Sequence, residues 1–209
     1  IEETGCFVEC SSLALPDDNT LTAAYKAFCS VVEPQIKVPG VKVVLKKGIP
    51  AGGGLGGGSS DAAALVRVLE RLCKVRLSGF QLDSIAAKTG SDVFFFMNCD
   101  REGGNGEALL FTHGEIVKKI TPRTDLYLLL VFPGIKSSTK EAYSLVDSVL
   151  DSKESNIAIP EFGELEVIYR KNPSEWNFAN TFTPSLCGRY SDLTRALGAL
   201  KKGGAEFCD

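Results

Sequence analysis

One glycine-rich segment limits how this chain can fold more than any other feature of its sequence. Six of the seven residues at positions 52–58 are glycine. A β-branched run at residues 41–45 precedes them, and residues 62–73 carry apolar side chains at helical spacing. Adjacent glycines let the backbone approach a ligand, and a helix that begins after them presents free N–H groups and a positive dipole end. The pattern therefore predicts a strand, a phosphate-binding loop and a helix in that order.

Other interpretations of the loop fit the sequence less well. A flexible linker rarely leads directly into a regular amphipathic helix. A Walker loop requires Gly-Lys-Ser/Thr, and no lysine lies between Gly52 and Ser60. Gly52, Gly54 and Gly57 match the dinucleotide fingerprint G-x-G-x-x-G, but no strand ending in an acid follows about 20 residues later. A protein-kinase loop would need a downstream His-Arg-Asp motif, which the single histidine, His113, excludes.

Composition narrows the class of protein further. The chain has 209 residues, 44% of them hydrophobic, and a net charge of −3. No apolar stretch approaches the roughly 18–20 residues of a membrane span. No run of Lys and Arg indicates a nucleic-acid or anionic-membrane surface. The seven cysteines form no C-x-x-C pair, which argues against a zinc site and favours a reducing compartment.

Apolar periodicity along the rest of the chain indicates an α+β protein. We expect strands at residues 6–15, 41–45, 108–112, 115–120 and 126–132. We expect helices at residues 19–32, 62–73, 82–88, 139–150, 164–170 and 193–202. The two strands that flank His113 are close enough to form a hairpin, and residues 126–132 are apolar throughout, which predicts a buried strand. A domain boundary is expected near residue 117.

Several blocks resemble the GHMP kinases, which include galactokinase, homoserine kinase and mevalonate kinase. Pro50-x-x-x-Gly-Leu-Gly, followed by two serines and alanines, resembles the phosphate loop of this family. Residues 90–96 resemble its Gly-Ser-Asp-Val-Pro-Phe-Phe segment, which carries the catalytic aspartate, with Phe94 in the usual place of proline. Residues 17–19 resemble the segment whose asparagine lies beside adenine, and residues 133–143 resemble the segment beside the substrate.

The resemblance implies a two-domain α+β fold, with an N-terminal domain like ribosomal protein S5 and a ferredoxin-like C-terminal domain. Residues 1–117 would bind ATP and residues 118–209 would complete the kinase. The extra glycines most resemble the subfamily that phosphorylates the 2-hydroxyl of a cytidylyl sugar alcohol in the non-mevalonate isoprenoid pathway. A kinase acting on mevalonate or homoserine, and a non-catalytic nucleotide-binding relative, remain alternatives. A dinucleotide-binding oxidoreductase is a more distant one.

The same resemblance assigns roles to individual residues. Asp92 would bind the substrate hydroxyl, either as a true base or as an orienting charge. Thr139 would contact the substrate or cap its helix, and Asn19 would bind adenine or cap its helix. Lys47 would lie near the nucleotide base or be a solvated strand-end lysine. The predicted nucleotide-binding residues are Asn19, Lys47, Pro50, Gly52, Gly53, Gly54, Leu55, Gly56, Gly57, Gly58, Ser59 and Ser60. ATP and Mg²⁺ are the expected cofactors, and no metal ligand is assigned.

The partners implied by the resemblance are small molecules. We expect a cytidylyl sugar alcohol as substrate, no nucleic acid, no membrane, and a monomer or homodimer. The compartment would be the cytoplasm in a bacterium, or the plastid or apicoplast stroma in a eukaryote. The Lys-x-Asn block and the Gly-Ser-Gly loop of the family have no counterparts between Ile1 and Asp209, so we interpret the chain as lacking both ends of the kinase.

Overall fold

The chain forms two compact units. The computed structural model describes residues 4–33, 36–99, 106–135, 139–151 and 160–209. The first unit is Ile1–Thr124 and the second is Asp125–Asp209. The expected boundary near residue 117 falls inside a strand, Ile116–Ile120, that pairs with the strand before it, so the first unit continues past this point. Among the described residues, no helix combines the length and the apolar character that crossing a membrane would require.

The first unit begins with a β-α-β arrangement. Strand β1, Cys6–Cys10, pairs in parallel with strand β2, Val41–Leu45, and helix α1, Thr20–Val32, connects them. Parallel strands need such a crossover, and a helix is its usual form. Alternate side chains of both strands pack towards the core, while Phe7 and Val44 on the opposite face are 48% and 66% exposed. The predicted strand at residues 6–15 therefore ends earlier than expected, at Cys10.

Three more helices complete the core of this unit. They are α2, Gly57–Cys73, α3, Gly79–Thr89, and α4, Ser91–Cys99. Apolar residues on one face of each helix meet at the centre, where Phe28, Leu69 and Ile85 are fully buried. Burial of one such side chain contributes about 1.5–3 kcal/mol. This core fixes the position of the N-terminal ends of α2 and α4, which carry the glycine loop and Asp92.

The predicted hairpin is confirmed. Strands β3, Glu107–Phe111, and β4, Ile116–Ile120, pair in an antiparallel register. Thr112 and Gly114 in the turn have positive φ values of 56° and 101°. A Cβ atom added at Gly114 would lie 2.6 Å from the carbonyl oxygen of Ser91, so the turn packs tightly against the start of α4.

Helices make up most of the regular structure described in the second unit. They are α5, Thr139–Asp151, α6, Leu165–Arg170, α7, Phe182–Arg189, and α8, Ser191–Lys202. An aromatic cluster forms where Trp176 stacks on Tyr169 and contacts Phe178 and Phe207 edge-on. Tyr190 donates a hydrogen bond of 2.9 Å to Glu141, which joins the start of α8 to α5.

The expected buried strand at residues 126–132 is wrong. The segment has no regular secondary structure, and the side chains from Tyr127 to Phe132 are between 46% and 101% exposed. An apolar run favours a strand only where another backbone supplies hydrogen bonds along it. Among the described residues, no strand pairs with this segment.

Candidate active site

The glycine loop lines a cleft of about 280 Å³ in the first unit. The structure brings most of the predicted nucleotide-binding residues together there. Those that line the cleft are Asn19, Lys47, Pro50 and all seven residues at positions 52–58. Ser59 and Ser60 lie outside the lining, and Ser60 Oγ instead donates a hydrogen bond of 2.9 Å to the Gly57 carbonyl oxygen.

Gly56 ends the loop and caps helix α2. Its φ of 63° is in the left-handed region, where glycine lacks the steric penalty of a side chain. The Ser60 N–H donates the first intrahelical hydrogen bond to the Gly56 carbonyl. The N–H groups of the three residues in between have no helical partner, and no side chain caps this end of the described helix. These donors and the helix dipole favour binding of an anion at the loop.

Lys47 and Asp61 supply charged side chains to the cleft lining. Lys47 Nζ lies 2.7 Å from Asp61 Oδ2, and the two side chains are 13% and 27% exposed. A Cβ atom added at Gly57 would lie 3.2 Å from Lys47 Nζ, so the ammonium group sits beside the first turn of α2. The sequence predicted Lys47 as a site residue but missed its partner.

Asp92 lies next to the loop. It occupies the first turn of α4, and its side chain is exposed. A Cβ atom added at Gly56 would lie 3.9 Å from Asp92 Oδ2 and 2.8 Å from Cε2 of Phe96. The N-terminal end of α2, which favours anion binding, therefore lies beside a carboxylate. A site that transfers a phosphate to an alcohol needs a phosphate-binding group and an alcohol-binding group next to each other.

Comparison with known proteins gives the family. Residues 19–99 match the N-terminal domain of the GHMP kinases. The 4-diphosphocytidyl-2-C-methyl-D-erythritol kinase of Treponema pallidum is 35% identical over 207 residues, which cover 97% of this chain and 68% of that protein. The chain belongs to the 4-diphosphocytidyl-2-C-methyl-D-erythritol kinase family of GHMP kinases. The resemblance found in the sequence is thereby confirmed.

Two further comparisons agree with this family. The kinase of the same name from Thermotoga maritima is 45% identical over 141 residues, covering 68% of this chain and 48% of that protein. A crystal structure of a 4-(cytidine 5'-diphospho)-2C-methyl-D-erythritol kinase aligns with 95% of this chain and 66% of its own, with a TM-score of 0.62 and 26% identity. The α+β two-domain class of a GHMP kinase is confirmed. The chain spans between about half and about two thirds of the length of these relatives.

Asn19 is a helix cap in this GHMP kinase. Its Oδ1 accepts hydrogen bonds from the N–H groups of Leu21 and Thr22, and its Nδ2 donates to the Pro16 carbonyl at 2.8 Å. Of its two predicted roles, capping is confirmed, and contact with adenine stays a prediction. Thr139 is the first residue of α5 in the second unit, so its contact with a substrate also stays a prediction.

Sequence reasoning missed the apolar wall of the cleft. Leu13 and Leu15 follow β1, Leu45 ends β2, and Leu21 lies in the first turn of α1. Aliphatic side chains of this kind suit the flat, apolar faces of a nucleobase. The spacing of Leu13 and Leu15 was available as a signal, but it suggested a longer strand rather than a pocket wall.

Proposed function

We propose that the protein transfers the γ-phosphate of ATP to the 2-hydroxyl of 4-diphosphocytidyl-2-C-methyl-D-erythritol, a step of non-mevalonate isoprenoid biosynthesis. The observation that carries the proposal is the Asp92 carboxylate beside the N-terminal end of α2. The proposed substrate is the one after which the aligned relatives are named, and these relatives align with nearly the whole chain. Mevalonate and homoserine kinases, and non-catalytic relatives, are the alternatives.

The glycine loop and Lys47 would bind the nucleotide. The N–H groups at the start of α2 would donate hydrogen bonds to phosphate oxygens, because no intrahelical acceptor uses them. The Lys47 ammonium, beside Gly57, would add a positive charge to the same region. The leucines of the cleft wall would then face the base.

Asp92 would act on the acceptor alcohol. An alcohol attacks phosphorus poorly unless its proton has an acceptor, and an exposed carboxylate beside the phosphate site can supply one. It can also aim the oxygen by hydrogen bonding. Base assistance of this kind contributes about 10²–10⁴-fold to a rate. Positioning and charge neutralisation are the larger part of phosphoryl transfer, so an orienting role for Asp92 satisfies the proposal equally.

Magnesium fits this cleft as an ion bound mainly to phosphate. The described residues contain no group of three or more His, Cys, Asp or Glu side chains arranged to hold a metal. Mg²⁺ in kinase sites commonly takes one or two protein carboxylates and completes its shell with phosphates and water. When bound, it would neutralise charge on the phosphates. The requirement for Mg²⁺ stays a prediction, as do the oligomeric state and the compartment.

A substrate panel tests the proposed function. The intact protein that contains this chain should consume ATP in the presence of Mg²⁺ and 4-diphosphocytidyl-2-C-methyl-D-erythritol, and should leave mevalonate and homoserine unchanged. Turnover of mevalonate or homoserine alone would assign another GHMP activity. ATP binding without turnover of any of the three would favour a non-catalytic relative.

A further inference from the structure

The Lys47–Asp61 ion pair is more shielded from solvent than the Lys26–Asp18 and Lys42–Glu9 pairs of the same unit. Its side chains are 13% and 27% exposed, whereas those of the Lys42–Glu9 pair, with a shorter separation of 2.6 Å, are 49% and 63% exposed. Exposed pairs contribute about 0–1 kcal/mol because water competes for both charges. The shielded pair therefore holds its geometry more firmly than the exposed one.

The pair also joins the two ends of the glycine loop. Lys47 precedes the loop and Asp61 lies in the second turn of α2, so the ion pair bridges the residues on either side of it. Glycine loses more conformational freedom on folding than any other residue. A contact across the base of a glycine-rich loop restricts the loop in the unliganded protein. Less conformational freedom then remains to be lost when a ligand binds.

Asp61 has a second effect, on the direction of the Lys47 side chain. A lysine ammonium on its four-carbon stem samples many rotamers unless a partner holds it. Here Asp61 holds the Lys47 ammonium 3.2 Å from where a Cβ atom added to Gly57 would lie. This position is beside the N–H groups that would bind phosphate. Without Lys47, however, Asp61 would be an uncompensated carboxylate in a site for an anion.

We infer that Asp61 is a positioning residue for nucleotide binding, which acts by fixing the Lys47 ammonium beside the phosphate-binding end of α2. The inference rests on the proposed function only in so far as the cleft binds ATP. It predicts that the effect of Asp61 on nucleotide affinity changes sign when Lys47 is absent. A residue that merely supports the fold would not reverse its effect in this way.

A double-mutant cycle on the intact protein tests this inference, with calorimetric Kd values for ATP and ADP as the readout. Asp61→Asn should weaken binding about fivefold, and Lys47→Met about tenfold or more. The double variant should bind about threefold more tightly than Lys47→Met, because the bare carboxylate is gone. Lys47→Arg should retain affinity within about threefold, since the guanidinium can keep the ion pair.

Glu9→Gln is the matched control, because it breaks an ion pair outside the cleft, and it should leave the nucleotide Kd unchanged. Melting temperatures identify variants that fail to fold. If Asp61→Asn fails to fold, Asp61→Ser takes its place. The inference would be overturned if the two substitutions had additive effects on affinity, or if Asp61→Asn bound nucleotide more tightly. It would also be overturned if Asp61→Asn lowered the melting temperature and left the Kd unchanged. If the unmodified protein binds neither nucleotide, the proposed function fails and the inference with it. Binding without turnover of the cytidylyl substrate would leave the inference standing.

Discussion

Two independent constraints act on Gly56. Its φ of 63° disfavours any residue with a Cβ atom, and that atom would meet the Phe96 ring at 2.8 Å. The ring already packs edge-on against Phe95, with 5.1 Å between the ring centroids, which limits the directions in which it can move. Glycine is therefore required here for packing as well as for ligand approach.

Replacing Gly56 should disturb both the loop and the nucleotide site. Gly56→Ala is expected to lower the free energy of unfolding by about 2–4 kcal/mol, from left-handed strain and overpacking together. It should also weaken ATP binding about tenfold, because the loop backbone shifts away from the phosphates. Chemical denaturation and calorimetry measure the two effects. Gly48→Ala is the control, since a Cβ atom there meets nothing within 4 Å.

Asp92→Asn separates chemistry from binding. The substitution keeps the shape of the side chain but removes its charge and its ability to accept a proton. We expect kcat to fall about 10²-fold or more, while the ATP Kd changes less than about threefold, since the glycine loop binds the nucleotide separately. Steady-state kinetics and calorimetry on the intact protein measure these quantities. Retention of more than about a third of kcat would contradict the proposed role, and Asp192→Asn, at an exposed position of the second unit, serves as a control.

The cysteines should differ widely in reactivity. Hydrogen bonds from the side chain and backbone of Ser12 lower the pKa of the Cys10 thiol, whereas burial raises the pKa of Cys29 to about 11. A lower pKa gives a larger thiolate fraction at a given pH, and the thiolate is the reactive form. At about pH 8, iodoacetamide should therefore modify Cys10 at least about tenfold faster than Cys29, as measured by peptide mass spectrometry. Equal rates would contradict the described burial.

At the scale of elements, the turn of the β3–β4 hairpin supports the start of α4. Gly114 has a φ of 101°, and a Cβ atom there would lie 2.6 Å from the Ser91 carbonyl oxygen, adjacent to Asp92. Gly114→Ala should push the turn and α4 apart, lowering the free energy of unfolding by about 2–4 kcal/mol and reducing kcat more than ATP affinity. Denaturation and kinetics test this.

Gly79→Ala is the matched control for that substitution. Gly79 is the first residue of α3, and a Cβ atom there meets nothing within 4 Å. Alanine loses less conformational freedom than glycine in a helix, so this variant should be neutral or more stable by about 0.5–1 kcal/mol. Equal destabilisation by both substitutions would show that the contact with Ser91 does not matter.

Elements with a strong local pattern were predictable from the sequence. Helices α1 and α2 follow apolar periodicity, and strand β2 was predicted with its bounds, because β-branched residues fill it. Helix α7 was missed, since Pro184 and Gly188 lie within it and its apolar residues are few. Its order depends on packing against α5, where Tyr143 and Phe182 make an edge-on ring contact.

The sequence predicted only those parts of the site that residue type and position in the chain are enough to identify. The glycine loop identified the phosphate-binding region, and the family resemblance identified Asp92. The Lys47–Asp61 pair could not be predicted, because its partners lie on either side of the loop and meet only in the folded chain. Gly56 caps α2, and its left-handed conformation at the helix entrance could not be predicted from a run of adjacent glycines.

At the scale of the whole molecule, the two units differ in the size of their cores. Among the described residues, the large side chains that are fully buried belong to the first unit, for example Phe28, Leu69 and Ile85. The most shielded large aliphatic residues described in the second unit are Ile168 and Val146. Hydrogen exchange should therefore show stronger amide protection in α1 and α2 than in α5 and α8. Mass spectrometry of proteolytic fragments measures it, and equal protection in the two units would contradict the expectation.

The exposed apolar segment at residues 127–132 has a consequence for how copies of this chain behave in concentrated solution. Its six residues contain no charge, no proline and no glycine, and their backbone makes no ladder with any described strand. Such a segment is a template for cross-β stacking between molecules. Because that reaction is of higher than first order in protein, its rate rises more steeply with concentration than the rate of folding does. We therefore expect the share of this chain found in inclusion bodies to rise with its expression level.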